Sequence, residues 1–152
     1  MSKSLITTLL VSILLSIAHA FGGSTVGGFL SQSSCNASTF KFSDTIDVGP
    51  APEFVITVTP ILSGLCPNSS GQKTNSTLNL NTCLGNNDAH LLWQKNGMFQ
   101  TTCGCELEIP NLCCGCGAAN GSTVPSGICI NLDQGVAADK GQLNCDNLPS
   151  NN

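Results

Sequence analysis

The chain has 152 residues, 9 acidic and 5 basic side chains, and a formal charge of −4. The lysines Lys3, Lys41, Lys73, Lys95 and Lys140 are scattered and there is no arginine. No basic patch is therefore offered to nucleic acid or to an anionic membrane surface, and both partner classes are excluded.

Met1 to Ser4 carry Lys3, Leu5 to Ile17 form an apolar run, and Ala18-His19-Ala20 supplies a small-x-small cleavage pattern. This order of charge, apolar core and small residues predicts a secretory signal peptide over 1–20. The apolar run is shorter than the about 20 residues a membrane span needs, so no membrane insertion is expected. The tail 146–152 is polar and carries no lipid-anchor signal. The chain after Ala20 is expected to be secreted and extracellular.

All ten cysteines follow the signal segment, and an even count in an exported chain reads as a disulfide framework. Cys35 and Cys66 bracket a segment in the first half as Cys103 and Cys116 bracket one in the second. These two pairs are expected, with Cys105 to Cys114 as a third. Cys83, Cys113, Cys129 and Cys145 are left unassigned. Cys103-Gly-Cys105 and Cys113-Cys114-Gly-Cys116 space their thiols more tightly than zinc knuckles do, and the oxidising export route disfavours thiolate clusters. No metal and no other cofactor is expected.

Local signals are β throughout. Phe54 to Thr59 is rich in β-branched residues and stops at Pro60. Leu78 and Leu80, and later Ile128, Ile130 and Leu132, alternate with polar neighbours. Asn96-Gly97, flanked by Trp93 and Phe99, reads as a hairpin turn. Cys83 to Asn87 and Gln134 to Ala138 each suit a single helical turn. Trp93, the only tryptophan, sits in an alternating strand and is assigned to the core.

The two halves repeat each other. Leu78-Asn79-Leu80-Asn81 returns as Ile130-Asn131-Leu132-Asp133, an offset of 52 from Leu78 to Ile130. The same offset pairs Leu84 with Val136, Leu91 with Leu143, and the turn Asn87-Asp88-Ala89 with Asp139-Lys140-Gly141. A duplication follows: a first repeat over about 31–97, a second over about 98–145, after an N-terminal extension 21–30. Asn36, Asn68, Asn75 and Asn120 each begin an Asn-x-Ser/Thr glycosylation pattern.

Catalysis finds little support. His90 lies near Asp88 without a nucleophile motif, and Glu106 and Glu108 look more like an exposed sheet edge than a glycosidase pair. No enzyme is expected.

Leu78-Asn-Leu-Asn81, Asn86-Asn87-Asp88, Leu91-Leu92-Trp93-Gln94, Phe99 and Thr102-Cys103 resemble the cyanovirin-N homology family. Ile130-Asn131-Leu132-Asp133 and Gly141-Gln142-Leu143 resemble its second repeat, and the additional Cys105 and Cys114 are similar to its cysteine-enriched fungal members. The resemblance spans about Ser31 to Cys145. It implies an all-β fold of two pseudo-symmetric halves, each a triple-stranded sheet with a β-hairpin, exchanging strands. It also implies a lectin for mannose-rich glycans or glycoproteins, monomeric or a strand-swapped dimer. Asn86, Asp88 and Thr102 fall on one of its sugar-binding positions, and Asn131 and Asp133 on the other, joined by Gln32 and Ser33. Asn and Asp suit sugar hydroxyls because they supply several donors and acceptors, although both are also common turn residues.

Departures accompany the match. The Lys41 to Pro60 insert is long and expected at the periphery. Cys145 replaces a large residue, Gly85 a frequent carboxylate, and Gly117-Ala118-Ala119 and Pro67 stand where polar side chains are common. The alternative reading is a secreted cysteine-rich surface-interaction protein whose sugar sites have degenerated.

Overall fold

The computed structural model describes residues 27–50, 52 and 55–151. The export segment 1–20 lies outside the described residues.

Ten strands are present among the described residues. The first half contains β1 (Lys41–Val48), β2 (Ile56–Pro67), β3 (Lys73–Asn79), β4 (Leu84–Asn87) and β5 (His90–Trp93). The second contains β6 (Cys103–Glu108), β7 (Asn111–Gly117), β8 (Thr123–Asn131), β9 (Ala137–Asp139) and β10 (Gln142–Asn144). β1-β2-β3 and β6-β7-β8 form antiparallel three-stranded sheets, and β4-β5 and β9-β10 form hairpins. No α-helix occurs among the described residues.

The hairpins cross over between halves. β10 packs on β3, and β5 packs on β8 and β7. Leu143 N donates to Ser76 Oγ at 2.7 Å, which gives the buried Ser76 hydroxyl a partner from the other half. The core is correspondingly shared. Phe29 and Phe99, Leu80 and Leu132, Leu84 and Val136, and Leu62 and Leu112 are all fully buried. Trp93 is buried too, its ring lying over Gly135.

Five disulfides tie the chain. Cys103 is joined to Cys116, Cys105 to Cys114 and Cys113 to Cys129, each pair directly opposite in the β6-β7-β8 register. Cys35 joins Cys66, and Cys83 joins Cys145 across a separation of 62 residues.

Three local expectations need correction. The strand from the β-branched run does not stop at Pro60. β2 continues to Pro67, because β3 ends opposite Ile61 and no strand on that side calls for the N–H that Pro60 lacks. The first hairpin turns at Asp88 and Ala89, both with positive φ, not at Asn96-Gly97. Asn96-Gly97 instead folds the chain back over β4, so that a Cβ on Gly97 would stand 2.5 Å from Gly85 Cα. The helical turns lie earlier than expected, as 3-10 turns at Leu80–Thr82 and Leu132–Gln134. Asn79 and Asn131 start them, each side-chain oxygen accepting the N–H two residues on at 3.0 Å.

The long insert is a β-ribbon. β1 pairs with the outer part of β2 from Val48↔Ile56 to Lys41↔Ser63. Ile46, Val48, Val55 and Ile56 are exposed on it.

Candidate functional site

The 88–89 turn brings three of the sequence-selected residues together. Asp88 and Ala89 adopt φ 50° and 67°, the left-handed pair that closes a two-residue hairpin. This places Asn86, near the end of β4, beside Thr102, which ends the 3-10 turn Phe99–Thr101. Asn86 Nδ2 donates to Thr102 Oγ1 and to the Gly117 carbonyl, both at 2.8 Å. Two acceptors on one nitrogen fix the orientation of the amide. Asn86 Oδ1 is buried with no protein partner. Asp88 Oδ1 accepts the Ala119 N–H at 2.9 Å.

The result is a shallow depression of about 280 Å³ between the first hairpin and the β7-β8 turn. Asn86, Asp88 and Thr102 line it together with Met98, Thr101 and the Gly117-Ala118-Ala119 backbone. Sequence reasoning missed Met98 and Thr101. Met98 has positive φ and is 54 % exposed, so its thioether forms an apolar wall. The only sequence signal for it is the preceding Asn-Gly turn. Gly85 leaves its space to the Gln94 side chain.

The opposite end is built differently. Ser33 Oγ donates to the Ala138 carbonyl at 2.9 Å, and Gln32 is exposed beside Gly28. Asn131 and Asp133 each engage one side-chain oxygen, Oδ1, with backbone N–H groups. Asn131 Oδ1 accepts Asp133 N–H, and Asp133 Oδ1 accepts Leu30 N–H at 2.7 Å and Ser31 N–H at 3.3 Å. Asn79 and Asn81 do the same work in the first half, where Asn81 Oδ1 accepts the Gln100 N–H at 3.2 Å. Neither of those residues lines the depression. The 52-residue offset gives Ala138 and Lys140 as the counterparts of Asn86 and Asp88. The β2-β3 turn repeats the backbone bonds of the β7-β8 turn, with Asn68 in the place of Ala118.

Glu106 and Glu108 are exposed on β6 and line a separate depression of about 420 Å³ with the Cys113–Cys129 disulfide. His90 Nδ1 lies 2.9 Å from the Asp88 carbonyl. Neither group faces a hydroxyl or thiol nucleophile in these contacts. Among the described residues no three His, Cys, Asp or Glu side chains are grouped to hold a metal ion.

The comparisons with known proteins agree with this architecture. The N. crassa CVNH structure superposes with a TM-score of 0.52 at 18 % identity, over 77 % of this chain and 98 % of that one. A designed cyanovirin-N homolog lectin superposes with a TM-score of 0.50 at 24 % identity, over 57 % of this chain and 84 % of that one. The CVNH of Gibberella zeae is 28 % identical over 56 % of this chain and 82 % of that one, with a TM-score of 0.47. The first two likenesses are of fold. No curated protein matches the chain. The model of the CVNH domain matches residues 54–144, more than half of the sequence, and with both hairpins, both sheets and the crossover in place the chain belongs to the CVNH family.

Proposed function

We propose that this is a secreted, non-catalytic lectin that binds mannose-rich glycans at one end only, in the depression formed by Asn86, Asp88 and Thr102. The observation that carries the reading is the convergence of Asn86, Asp88 and Thr102 on one shallow depression. Thr102 and Gly117 lock the Asn86 amide, which in turn orients the Thr102 hydroxyl. The exposed Thr102 hydroxyl can donate to or accept from a sugar hydroxyl, and the exposed Asp88 carboxylate can accept from one. Asp88 keeps a second carboxylate oxygen for the neighbouring hydroxyl, while Met98 offers an apolar wall to the C–H face of the ring. At the other end Ala138 and Lys140 stand in the places of Asn86 and Asp88, so binding is monovalent.

The site is shallow, and each bond to sugar replaces one to water. An affinity on the order of 0.1 mM, about 5.5 kcal/mol net, is expected of so shallow a site. The five disulfides and the export segment support an extracellular location.

A high-density array of mannose-rich glycans tests this reading. Wild-type protein should bind and Thr102→Val should lose most of the signal. Silence of the wild type would favour the second reading, a surface-interaction protein. The exposed Ile46, Val48, Val55 and Ile56 of the β1-β2 ribbon support that alternative.

A further inference from the structure

The β7-β8 turn that walls the depression also carries a glycosylation acceptor, Asn120-Gly121-Ser122. Ala119 N–H is held by Asp88, and Asn120 is the next residue, exposed, about 3.8 Å further along the chain by one Cα step. Asn120 Oδ1 accepts both the Ser122 N–H at 2.9 Å and the Ser122 hydroxyl at 2.7 Å. Because the amide is planar, its Nδ2, the atom that carries an N-linked sugar, points away from those bonds. Gly121 has φ +83°, and nothing lies within 4 Å of where a Cβ would stand, so the turn is open to solvent.

We propose that an N-linked, mannose-rich glycan on Asn120 folds back into the Asn86-Asp88-Thr102 depression and competes in cis with external glycans. This rests on the depression being a glycan site. Attachment would use a lipid-linked oligosaccharyl pyrophosphate as donor. A C–N bond forms between the anomeric carbon and Asn120 Nδ2, the C–O bond to the pyrophosphate breaks, and the lipid pyrophosphate leaves with the amide proton. The attached chain begins one residue from the site wall and is far longer than that step. A short tether supplies an effective concentration on the order of 1 mM, which against an affinity on the order of 0.1 mM weakens external binding about tenfold. Asn68 provides the contrast. It occupies the matching turn at the other end, where Ala138 and Lys140 stand, and a glycan there has no equivalent acceptor pair to meet.

The test expresses the full chain in a eukaryotic secretory host that makes mannose-rich N-glycans. Occupancy of Asn120 is read by peptide mass spectrometry, and affinity for a mannose-rich oligosaccharide by calorimetry. Asn120→Gln, and wild-type protein trimmed to a single sugar by an endoglycosidase, should both bind about tenfold tighter than intact wild type. Asn68→Gln should match intact wild type. An unoccupied Asn120, or equal and measurable affinities for intact protein and Asn120→Gln, would overturn cis competition alone. Absence of binding by both Asn120→Gln and the trimmed protein would overturn the glycan site and the competition together.

Discussion

Asp88 Oδ1 lies 2.9 Å from the Ala119 amide nitrogen, joining the turn of the first hairpin to the β7-β8 turn of the second half. Asp88 thus has two tasks, holding the halves together through Oδ1 and lining the depression.

The two tasks separate by substitution. Asp88→Asn keeps an acceptor and tolerates the left-handed backbone at φ 50°. It should cost under about 1 kcal/mol of stability and weaken glycan binding several-fold. Asp88→Ala loses the bond and strains the turn, and should cost about 2 kcal/mol. Urea unfolding and oligosaccharide titration of both variants read the two effects.

Asp133→Ala should behave in the opposite way. Its Oδ1 holds the N–H groups of Leu30 and Ser31, so its loss should destabilise the protein by about 1.5–3 kcal/mol. Glycan affinity of the folded fraction should be unchanged. A fall in affinity with unchanged stability would place Asp133 in a binding site instead.

Ala138→Asn with Lys140→Asp should create a second site. Lys140 already has the φ of 50° that Asp88 has, so the backbone suits the new side chain. The double variant should agglutinate mannose-coated beads that wild-type protein coats without cross-linking, because two sites convert weak binding into avidity.

Gly135→Ala should destabilise the shared core. The new methyl would stand 2.6 Å from the Trp93 ring, so one of them must shift. A cost of about 1–3 kcal/mol is expected for such overpacking. Thermal unfolding followed by Trp93 fluorescence measures it.

Much of this architecture is legible in the residues. The 52-residue offset and the alternating Leu78-Leu80 and Ile130-Leu132 runs report the two halves, because strand alternation and turns are local chemistry. Trp93 reads as core for the same reason. The ends of elements are less legible. Pro60 looks like a terminus until one knows that β3 stops opposite Ile61, a fact about a neighbouring strand. Asn96-Gly97 carries a hairpin signal that the packing of Gly97 on Gly85 redirects. Cys83 and Cys145 have no bracketing pattern, since their bond spans two segments brought together only by the fold.

The grouping of Asn86, Asp88 and Thr102 around one depression was legible. Asn86, Asp88 and Thr102 converge because a turn and a 3-10 segment meet there. Asn131 and Asp133 have the same chemistry but resemble Asn79 and Asn81, whose side-chain oxygens accept backbone N–H groups. Residue type alone does not distinguish an amide that lines a depression from one that bonds backbone N–H groups. Met98 and Thr101 join the wall through backbone geometry that leaves no mark in composition.

The central claim, one glycan site at the Asn86 end, is tested most directly by titrating isotope-labelled protein with a mannose-rich oligosaccharide and following backbone amide resonances. The account predicts progressive, saturable shifts at Asn86 to Asp88, Thr101, Thr102 and Gly117 to Ala119, with Ala137 to Gly141 unmoved. Shifts centred on Ala137 to Gly141, or none at millimolar sugar, would contradict it.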